Sequence, residues 1–425
     1  MATTGWRGRR ASKPEGVVRK HHPDRLIIVF TVLLMFIGLL VIYAIGPQRA
    51  NLMNSVLGYE YSEGYFFWKQ LLSIALALIA FWAMSLIHYD WILKYSKYVL
   101  WAGFAACALL AIGAWTGMIE GTYGAVRWID LGPLGSVQPS EILKLGVLLY
   151  LAVFLAVRVK DGKINNFKET LLPVIVTTAA ALLFVIVIQR DLGTGISLTA
   201  IVVTMLVVAG LRAKIIFGVL GALLVFGLLF IFTSDHRVER VMTYLKGDST
   251  STSDPDAYHI QHAKIAIGSG GFFGVGIGGS VQASGYLPEA INDSIFAIIG
   301  ETFGFIGTVA LLALFVALMM RLLGVMDGLI DYRLKLLAAG VFGWLAAHVI
   351  LNIAAMIGIF PLTGITLPLL SYGGTSMIFM TAALGLVFQA SKYTVHPSRI
   401  KEEANENSRR GRGVGRTRHT SRRSS

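Results

Sequence analysis

Two carboxylic acids stand directly before a long apolar segment of the chain. Glu289 and Asp293 lie four residues apart in GYLPEAINDSIFAIIGE, residues 285–301, and the apolar run begins at Ser294. An ionisable side chain at the edge of a membrane span is costly to place there and usually has a function. A carboxylate at this position can act as a general base, and partial burial would raise its proton affinity. The alternative for Asp293 is that it caps the helix that follows.

The segment 119–140 supplies a cation and leads into two further charged residues. Arg127 precedes Trp128, and this pair either anchors the chain at the membrane interface or binds an anion. Ser140 is the predicted N-cap of the next helix, and a place in its first turn explains Glu141 better than catalysis does. Lys144 lies one turn inside a predicted span, where an ammonium needs a carboxylate, a phosphate or water.

Two other polar segments have structural explanations. Asp191, in the turn QRDLGTG, is predicted to cap the next helix rather than to act directly in catalysis. Residues 258–280 are rich in glycine, but no strand precedes them and no Walker lysine pattern is present, so we exclude nucleotide binding. His259 and His262 could share one helix face, but no acid stands at a matching spacing and we predict no metal site there.

These residues must be positioned by membrane-spanning helices. The 425 residues are 55% hydrophobic and 14% charged, which is typical of a polytopic membrane protein. No segment alternates as a barrel strand does, so the predicted fold class is all-α, a polytopic integral membrane protein. Apolar runs long enough to cross a bilayer give about ten transmembrane helices. We place them at 26–45, 66–87, 98–118, 141–158, 171–189, 193–211, 214–233, 294–320, 334–357 and 373–391.

The net charge of +13 is concentrated in two tails that flank the transmembrane domain, residues 26–391. Residues 1–25 carry +5 and residues 392–425 carry +7. Ten spans put both tails on one side, and the positive-inside rule makes that side cytoplasmic. We expect the C-terminal tail to be disordered and attracted to anionic lipid, with no nucleic-acid partner. The first span is predicted to be an uncleaved anchor, and a single cysteine, Cys107, excludes an intrachain disulfide.

This orientation places the chemistry outside the cytoplasm. The large extracytoplasmic loop, about 234–293, is then joined at the outer face by the connection 358–372. That connection is apolar, but its prolines and glycines forbid a continuous helix. Non-helical backbone at membrane depth survives only when it is buried in protein or lines a cavity. The sequence therefore suggests a groove for lipid or a lipid-like ligand.

Six motifs occur together along the chain. They are GAVRWIDLG (124–132), QPSE (138–141), Gln189 with DLGT (191–194), AIGSGGFFGVGIGGS (266–280), LPEAINDSIFAIIGE (287–301) and GIFPLTGITLPLLSYGGTS (358–376). Together these motifs resemble one family, the SEDS proteins, the FtsW/RodA/SpoVE group of bacterial cell-wall polymerases. They occur in family order over nearly all the spans, and the tails are not covered.

The resemblance implies a ten-helix peptidoglycan glycosyltransferase. Such a protein polymerises lipid II outside the bacterial cytoplasmic membrane and releases undecaprenyl pyrophosphate. Asp293 occupies the position of the family's proposed catalytic acid, and Arg127 that of its important arginine. The family also implies a class B penicillin-binding transpeptidase as partner, with other divisome membrane proteins. The basic tails and the SYGGTS region are more similar to FtsW or SpoVE than to RodA, which predicts a role at the division septum.

The chain departs from the family pattern at two places near these acids. Gln189-Arg190-Asp191 stands where Gln-Pro-Asp is usual, so the turn changes and Arg190 adds a cation that could contact pyrophosphate. Ile291-Asn292 replaces the common His-Thr, which argues against a histidine base there. The leaving pyrophosphate needs its charge stabilised, and the sequence does not choose among the candidates. These are Arg127, Lys144, Lys264, Arg190 and a divalent cation, Mg²⁺ or Mn²⁺.

Two other functions fit parts of the pattern. A transporter that flips lipid II would suit ten helices and intramembrane lysines, but such a protein should have polar motifs on both faces, and here they cluster on one. A non-catalytic scaffold for division proteins would tolerate substitution of Asp293.

Overall fold

The computed structural model describes residues 22–118, 126–130, 132, 136–219, 221 and 255–394. These residues are predominantly helical, as the sequence predicts. The helices are α1 (Arg25–Leu57), α2 (Tyr65–Leu86), α3 (Tyr89–Lys94), α4 (Ser96–Trp115), α5 (Pro139–Lys160), α6 (Leu172–Leu182), α7 (Leu192–Val208), α8 (Pro255–Ser269), α9 (Ile295–Gly328), α10 (Tyr332–Met356) and α11 (Gly374–Ala390). Wider π-helical turns, Phe167–Leu171 and Leu183–Ile188, flank α6, and short 3₁₀ turns occur at Gln282–Ser284 and Ser391–Tyr393. A two-residue antiparallel pair joins β1 (Ile129–Asp130) to β2 (Ser136–Val137).

Eight helical segments in the described ranges are long and apolar enough to cross a membrane. They coincide with eight of the predicted spans, so the chain is a multi-pass membrane protein. The predicted sixth span is the 17-residue helix α7, which is shorter than those eight. Most of the predicted seventh span, 214–233, lies outside the described residues, as do most of both tails and the first part of the large loop.

The helix starts show how local sequence sets the ends of the spans. Asp191 is the N-cap of α7 and accepts a hydrogen bond from the backbone N–H of Thr194 at 2.9 Å, which confirms the predicted cap. The predicted cap at Ser140 is wrong. Gln138 is the N-cap of α5, because Pro139 fits the first helical position and brings Ser140 into the first turn.

Glycine allows the central helices to approach closely. A Cβ on Gly103 of α4 would stand 2.6 Å from Leu143 Cα of α5, and one on Gly385 of α11 would stand 2.5 Å from the Phe81 carbonyl of α2. Small residues at such crossings let helix backbones pack where no hydrophobic effect drives them together. The resulting core holds α5, α10 and α11, whose spanning segments are the most buried of the eight.

Helix α9 is broken at Gly304, whose φ of 66° and ψ of −162° are not helical. The glycine-rich loop 270–280 supplies hydrogen bonds that the helix loses there. Phe305 and Ile306 donate to the carbonyls of Gly271 and Phe272, at 2.9 and 3.2 Å. The Glu301 and Thr302 carbonyls accept from Val275 and Gly276, at 2.9 and 3.1 Å. Main-chain groups of the loop therefore bond the helix on both sides of the break.

The buried Glu301 side chain fastens the same loop. Its carboxylate accepts hydrogen bonds from the Ser280 hydroxyl and from the backbone N–H groups of Val281 and Gln282. It thus caps the short turn Gln282–Ser284, and the main chain of this loop bonds the broken helix.

Candidate active site

Asp293 lies in a tight turn immediately before α9. The carbonyl of Glu289 accepts hydrogen bonds from the N–H groups of Asn292 and Ser294, at 2.9 and 3.2 Å. Glu289 itself has a positive φ of 48°. The N-cap of α9 is Ser294, without a side-chain cap bond, so Asp293 does not cap this helix. Its carboxyl is left for another role.

The non-helical residues 358–373, here called the strap, hold this turn from the other side. The hydroxyl of Ser371 donates to the Asn292 carbonyl at 2.7 Å, and the N–H of Tyr372 donates to the Ile291 carbonyl at 2.8 Å. Nδ2 of Asn352, on α10, donates to the carbonyls of Asp293 and Ile365, both at 2.7 Å. The strap and the turn are therefore one connected unit, as the predicted irregular connection at 358–372 requires.

The carboxyl of Asp293 faces Arg127 across Gly364 of the strap. A Cβ on Gly364 would stand 3.6 Å from Oδ2 of Asp293 and 3.9 Å from Nη1 of Arg127, so both groups border the same point. Burial, together with the charges of Glu289 and Asp191, raises the pKa of the Asp293 carboxyl to about 7, and the charge of Arg127 opposes this rise. Asp293 can therefore exchange a proton near neutral pH.

Arg127 is fixed by main-chain carbonyls of the turn before α7. Its Nη2 donates to the Arg190 carbonyl at 2.8 Å, and its Nε donates to the Gln189 carbonyl at 3.4 Å. The backbone of Arg190 has a φ of 55°, and its side chain is exposed. This turn presents the guanidinium of Arg127 toward Asp293.

The other two acids near Asp293 are already bonded. Asp191 accepts hydrogen bonds from the Thr194 hydroxyl at 2.8 Å and from the Gln138 amide at 3.1 Å, in addition to its cap. Glu289 accepts from the Asn292 amide and lies 4.0 Å from a guanidinium nitrogen of Arg49. Asp293 is half-buried beside these two bonded acids, and its raised pKa is the property that a general base requires.

Lys144 and Glu141 pair with each other in the interior of the helix bundle. Both side chains are buried in α5, with Lys144 Nζ 2.9 Å from Glu141 Oε1. The ammonium also lies 3.3 Å from His348 Nε2 and 4.7 Å from the ring centre of Trp344. Contact with a substrate phosphate would require this ammonium to leave its network.

Lys264, on the exposed side of α8, lies beside the start of the strap. A Cβ on Gly358 would stand 3.1 Å from Lys264 Nζ. The two histidines of α8 turn to different partners, His259 to the Ser294 hydroxyl at 2.6 Å and His262 to the Gln282 side chain at 2.7 Å. Within the described part of the chain, no three His, Cys, Asp or Glu side chains are grouped to hold a metal ion.

Sequence reasoning missed three residues that shape this site: Arg49, Asn352 and Ser371. Arg49 falls in the long α1, beyond the predicted end of the first span at residue 45. Asn352 offered one signal, because an amide within a predicted membrane span is costly unless it is hydrogen-bonded.

The fold and the site define a polytopic membrane protein with a carboxyl–guanidinium site at one end of its helices. Residues 24–396 match the family model FtsW/RodA/SpoVE, described as "Cell cycle protein". The chain belongs to this family.

Individual relatives agree with that assignment. The chain is 35% identical over 382 residues to Stage V sporulation protein E of Bacillus subtilis, covering 88% of this chain and 99% of the relative. It is 33% identical over 396 residues to the probable peptidoglycan glycosyltransferase FtsW of Methylococcus capsulatus, covering 92% and 95%.

Solved structures share the fold. A structure described as "Structural coordination of polymerization and crosslinking by a peptidoglycan synthase complex" matches with a TM-score of 0.69 at 24% identity, covering 87% of this chain and 97% of that one. The rod shape determining protein RodA of Thermus thermophilus matches with a TM-score of 0.62 at 22% identity, covering 90% and 100%.

Proposed function

We propose that this chain is a peptidoglycan glycosyltransferase that polymerises lipid II at the outer face of the bacterial cytoplasmic membrane, for septal wall synthesis in division. The observation that carries the proposal is the Asp293 carboxyl, which has a pKa of about 7 and faces Arg127 across the strap. The family assignment supplies the reaction class, and curated relatives carry the name peptidoglycan glycosyltransferase.

The reaction is a single displacement at the anomeric carbon of the donor sugar. An acceptor hydroxyl attacks that carbon, the new glycosidic C–O bond forms, and the bond to the lipid pyrophosphate breaks. Asp293 accepts the hydroxyl proton, and undecaprenyl pyrophosphate leaves with the bonding electron pair. With one base and no second acid placed as a nucleophile, the anomeric centre inverts.

The pyrophosphate charge is stabilised by Arg127, with Arg190 and Lys264 at the exposed edge of the site. The carboxylates nearest to Asp293 already have partners: Asp191 accepts hydrogen bonds from Thr194 and Gln138, and Glu289 pairs with Asn292 and Arg49. The described residues therefore do not form a protein-held site for Mg²⁺ or Mn²⁺. The mechanism therefore routes no step through a divalent cation.

The proposal includes an orientation and a partner. Both basic tails lie in the cytoplasm, which puts the Asp293 end of the helices outside. A class B penicillin-binding transpeptidase cross-links the product and activates the polymerase, and other divisome membrane proteins place the pair at the septum. The likeness to a peptidoglycan synthase complex supports such a partner.

Polymerisation of labelled lipid II by the purified protein, with and without its cognate transpeptidase, tests this function. We expect glycan ladders from the wild type and a loss of about 10²–10⁴-fold in Asp293→Asn. Glu169→Gln is the control, since Glu169 pairs with Lys163 at the opposite end of α5. Ladders unchanged in Asp293→Asn would exclude this base. Movement of lipid II across liposomes without polymer would establish a transporter instead.

A further inference from the structure

Asn352 is a buried amide that connects the reactive acid to the strap. It lies on α10 and is 1% exposed. Its Nδ2 stands 2.7 Å from the main-chain oxygen of Asp293 and 2.7 Å from that of Ile365. An amide nitrogen carries two hydrogens, so both carbonyls are satisfied by one atom. If the amide were turned over, Oδ1 would face two carbonyl oxygens, and no hydrogen bond could form. The nitrogen is therefore the atom that faces the two carbonyls.

This connection determines what the Asp293 carboxyl meets. Ile365 follows Gly364, the residue that separates Oδ2 of Asp293 from Nη1 of Arg127. Gly364 has a φ of 69°, so the strap makes a sharp local turn there. Asn352 bonds the Ile365 carbonyl in the strap and the Asp293 carbonyl in the turn before α9. These two hydrogen bonds together hold the strap and Asp293 next to each other.

A second side chain of α10 supports the strap one helical turn earlier. His348 Nε2 faces the ammonium of Lys144, which can only donate, so the ring proton lies on Nδ1. Nδ1 is 3.4 Å from the Thr366 carbonyl and can donate to it. His348 and Asn352 therefore contact consecutive carbonyls of the strap, but only Asn352 also contacts Asp293.

We propose that Asn352 is a positioning residue for glycosyl transfer, whose amide nitrogen sets the Asp293 carboxyl against Arg127 and Gly364. This role rests on the proposed function, although the geometry it describes does not. Without the amide, the strap and the turn keep the hydrogen bonds of Ser371 and Tyr372. They lose the hydrogen bonds of Asn352 to Ile365, next to Gly364, and to Asp293. Water then reaches the carboxyl, and its alignment with the acceptor hydroxyl is lost.

The test compares Asn352→Leu with a matched control at the far end of the helices. Gln389 on α11 is also a buried amide whose nitrogen donates to two carbonyls, those of Ser85 and Ile87, at 3.2 and 2.5 Å. Gln389→Leu therefore removes the same kind of paired hydrogen bonds, from one amide nitrogen to two carbonyls, at a place distant from Asp293. Both variants should lose thermal stability, but only Asn352→Leu should disturb Asp293. An effect that only Asn352→Leu shows is therefore not due to global destabilisation.

The first readout is the pH dependence of lipid II polymerisation by the full-length protein. In Asn352→Leu we expect kcat to fall about 10–100-fold with little change in KM. The midpoint of the pH profile should move down by about one pH unit or more, because hydration of the carboxyl relieves the effect of burial. Gln389→Leu should keep the wild-type midpoint. A wild-type midpoint and kcat in Asn352→Leu would overturn the proposal.

The second readout needs no activity. The difference in Tm between the protein and its Asp293→Asn variant, measured from pH 5 to 8, reports how strongly burial opposes ionisation of Asp293. This difference should shrink in the Asn352→Leu background and persist in the Gln389→Leu background. An undiminished difference would overturn the positioning role, whereas an inactive wild type would sink only the proposed function. If Asn352→Leu does not fold, Asn352→Ser, whose hydroxyl is too short to reach both carbonyls, replaces it.

Discussion

Lys144 Nζ lies 3.3 Å from His348 Nε2 in the buried space between α5 and α10. Because an ammonium is only a donor, this contact fixes the His348 tautomer and directs Nδ1–H to the carbonyl of Thr366. The pair Glu141–Lys144 therefore acts on the strap through His348 instead of touching the site at Asp293.

Lys144→Met should destabilise the protein. It leaves Glu141 as a buried acid without its cation, which costs about 3–5 kcal/mol. The double variant Glu141→Gln/Lys144→Met should recover much of the loss, as measured by thermal unfolding in detergent. If Lys144→Met instead keeps its Tm and raises KM for lipid II tenfold or more, the ammonium binds substrate, as one of the candidates for stabilising the pyrophosphate would.

The polymerisation rate should rise with pH and level off above about 7. In the proposed reaction the base is the ionised carboxylate of Asp293, whose pKa is raised from 3.8 to about 7 by burial and by its acidic neighbours. Glu289→Gln should lower the midpoint and Arg127→Gln should raise it, because the first removes a like charge and the second an opposite one. A profile that follows a group near pH 4 would contradict the buried setting.

The same raised pKa has an effect on folding. The folded protein holds the Asp293 proton more tightly than the unfolded chain, so stability falls as pH rises from about 4 through 7. Asp293→Asn should remove this part of the pH dependence and be more stable than wild type at pH 8. Thermal unfolding at several pH values measures it, and equal Tm curves for the two proteins would refute it.

Arg190→Gly should be tolerated and Arg190→Pro should not. The φ of 55° at Arg190 is accessible to glycine, whereas proline is fixed near −65°. We expect a Tm within a few degrees of wild type for glycine and a loss of more than about 1 kcal/mol for proline. This is the position at which the resembled family usually has proline, so a stable Arg190→Pro would show that the turn can switch to that form.

Gly304→Ala should be strongly destabilising. Gly304 has a positive φ, and a Cβ there would lie 2.4 Å from the Gly274 nitrogen and 2.6 Å from the Phe272 carbonyl oxygen. Gly324→Ala is the matched control on the same helix, since nothing lies within 4 Å of its Cβ position. That variant should gain up to about 1 kcal/mol. Similar Tm values for the two variants would argue against the break in α9.

The sequence was sufficient for eight of the ten predicted spans and for the segments that meet at the site. Apolar length locates a span because helices must satisfy their own backbone groups in lipid, and Asp191 could be recognised as a cap from local pattern alone. The extension of α1 past residue 45 could not be recognised in this way. Polar residues such as Arg49 indicate the end of a span by composition, but the helix continues to Leu57.

The roles of Lys144 and Asn352 depend on partners distant in sequence. The contact of Lys144 with His348 spans 204 positions, and that of Asn352 with Asp293 spans 59. No periodicity in one sequence reports such pairs. The sequence could show only that each polar group needed a partner in the membrane, and the fold determined which partner it found.

The break at Gly304 has a consequence for how the chain enters the bilayer. The N-terminal part of α9, Ile295–Phe303, is too short to cross the membrane alone, since a helix needs about 20 residues to do so. Its end groups are satisfied by a loop synthesised earlier, residues 270–276. We therefore expect the loop to stay at the membrane surface until this part of α9 has been synthesised, and the loop and Ile295–Phe303 to enter the bilayer together. Chains released after a stop codon near residue 290 should leave the loop open to protease, and chains that end well past Gly328 should protect it.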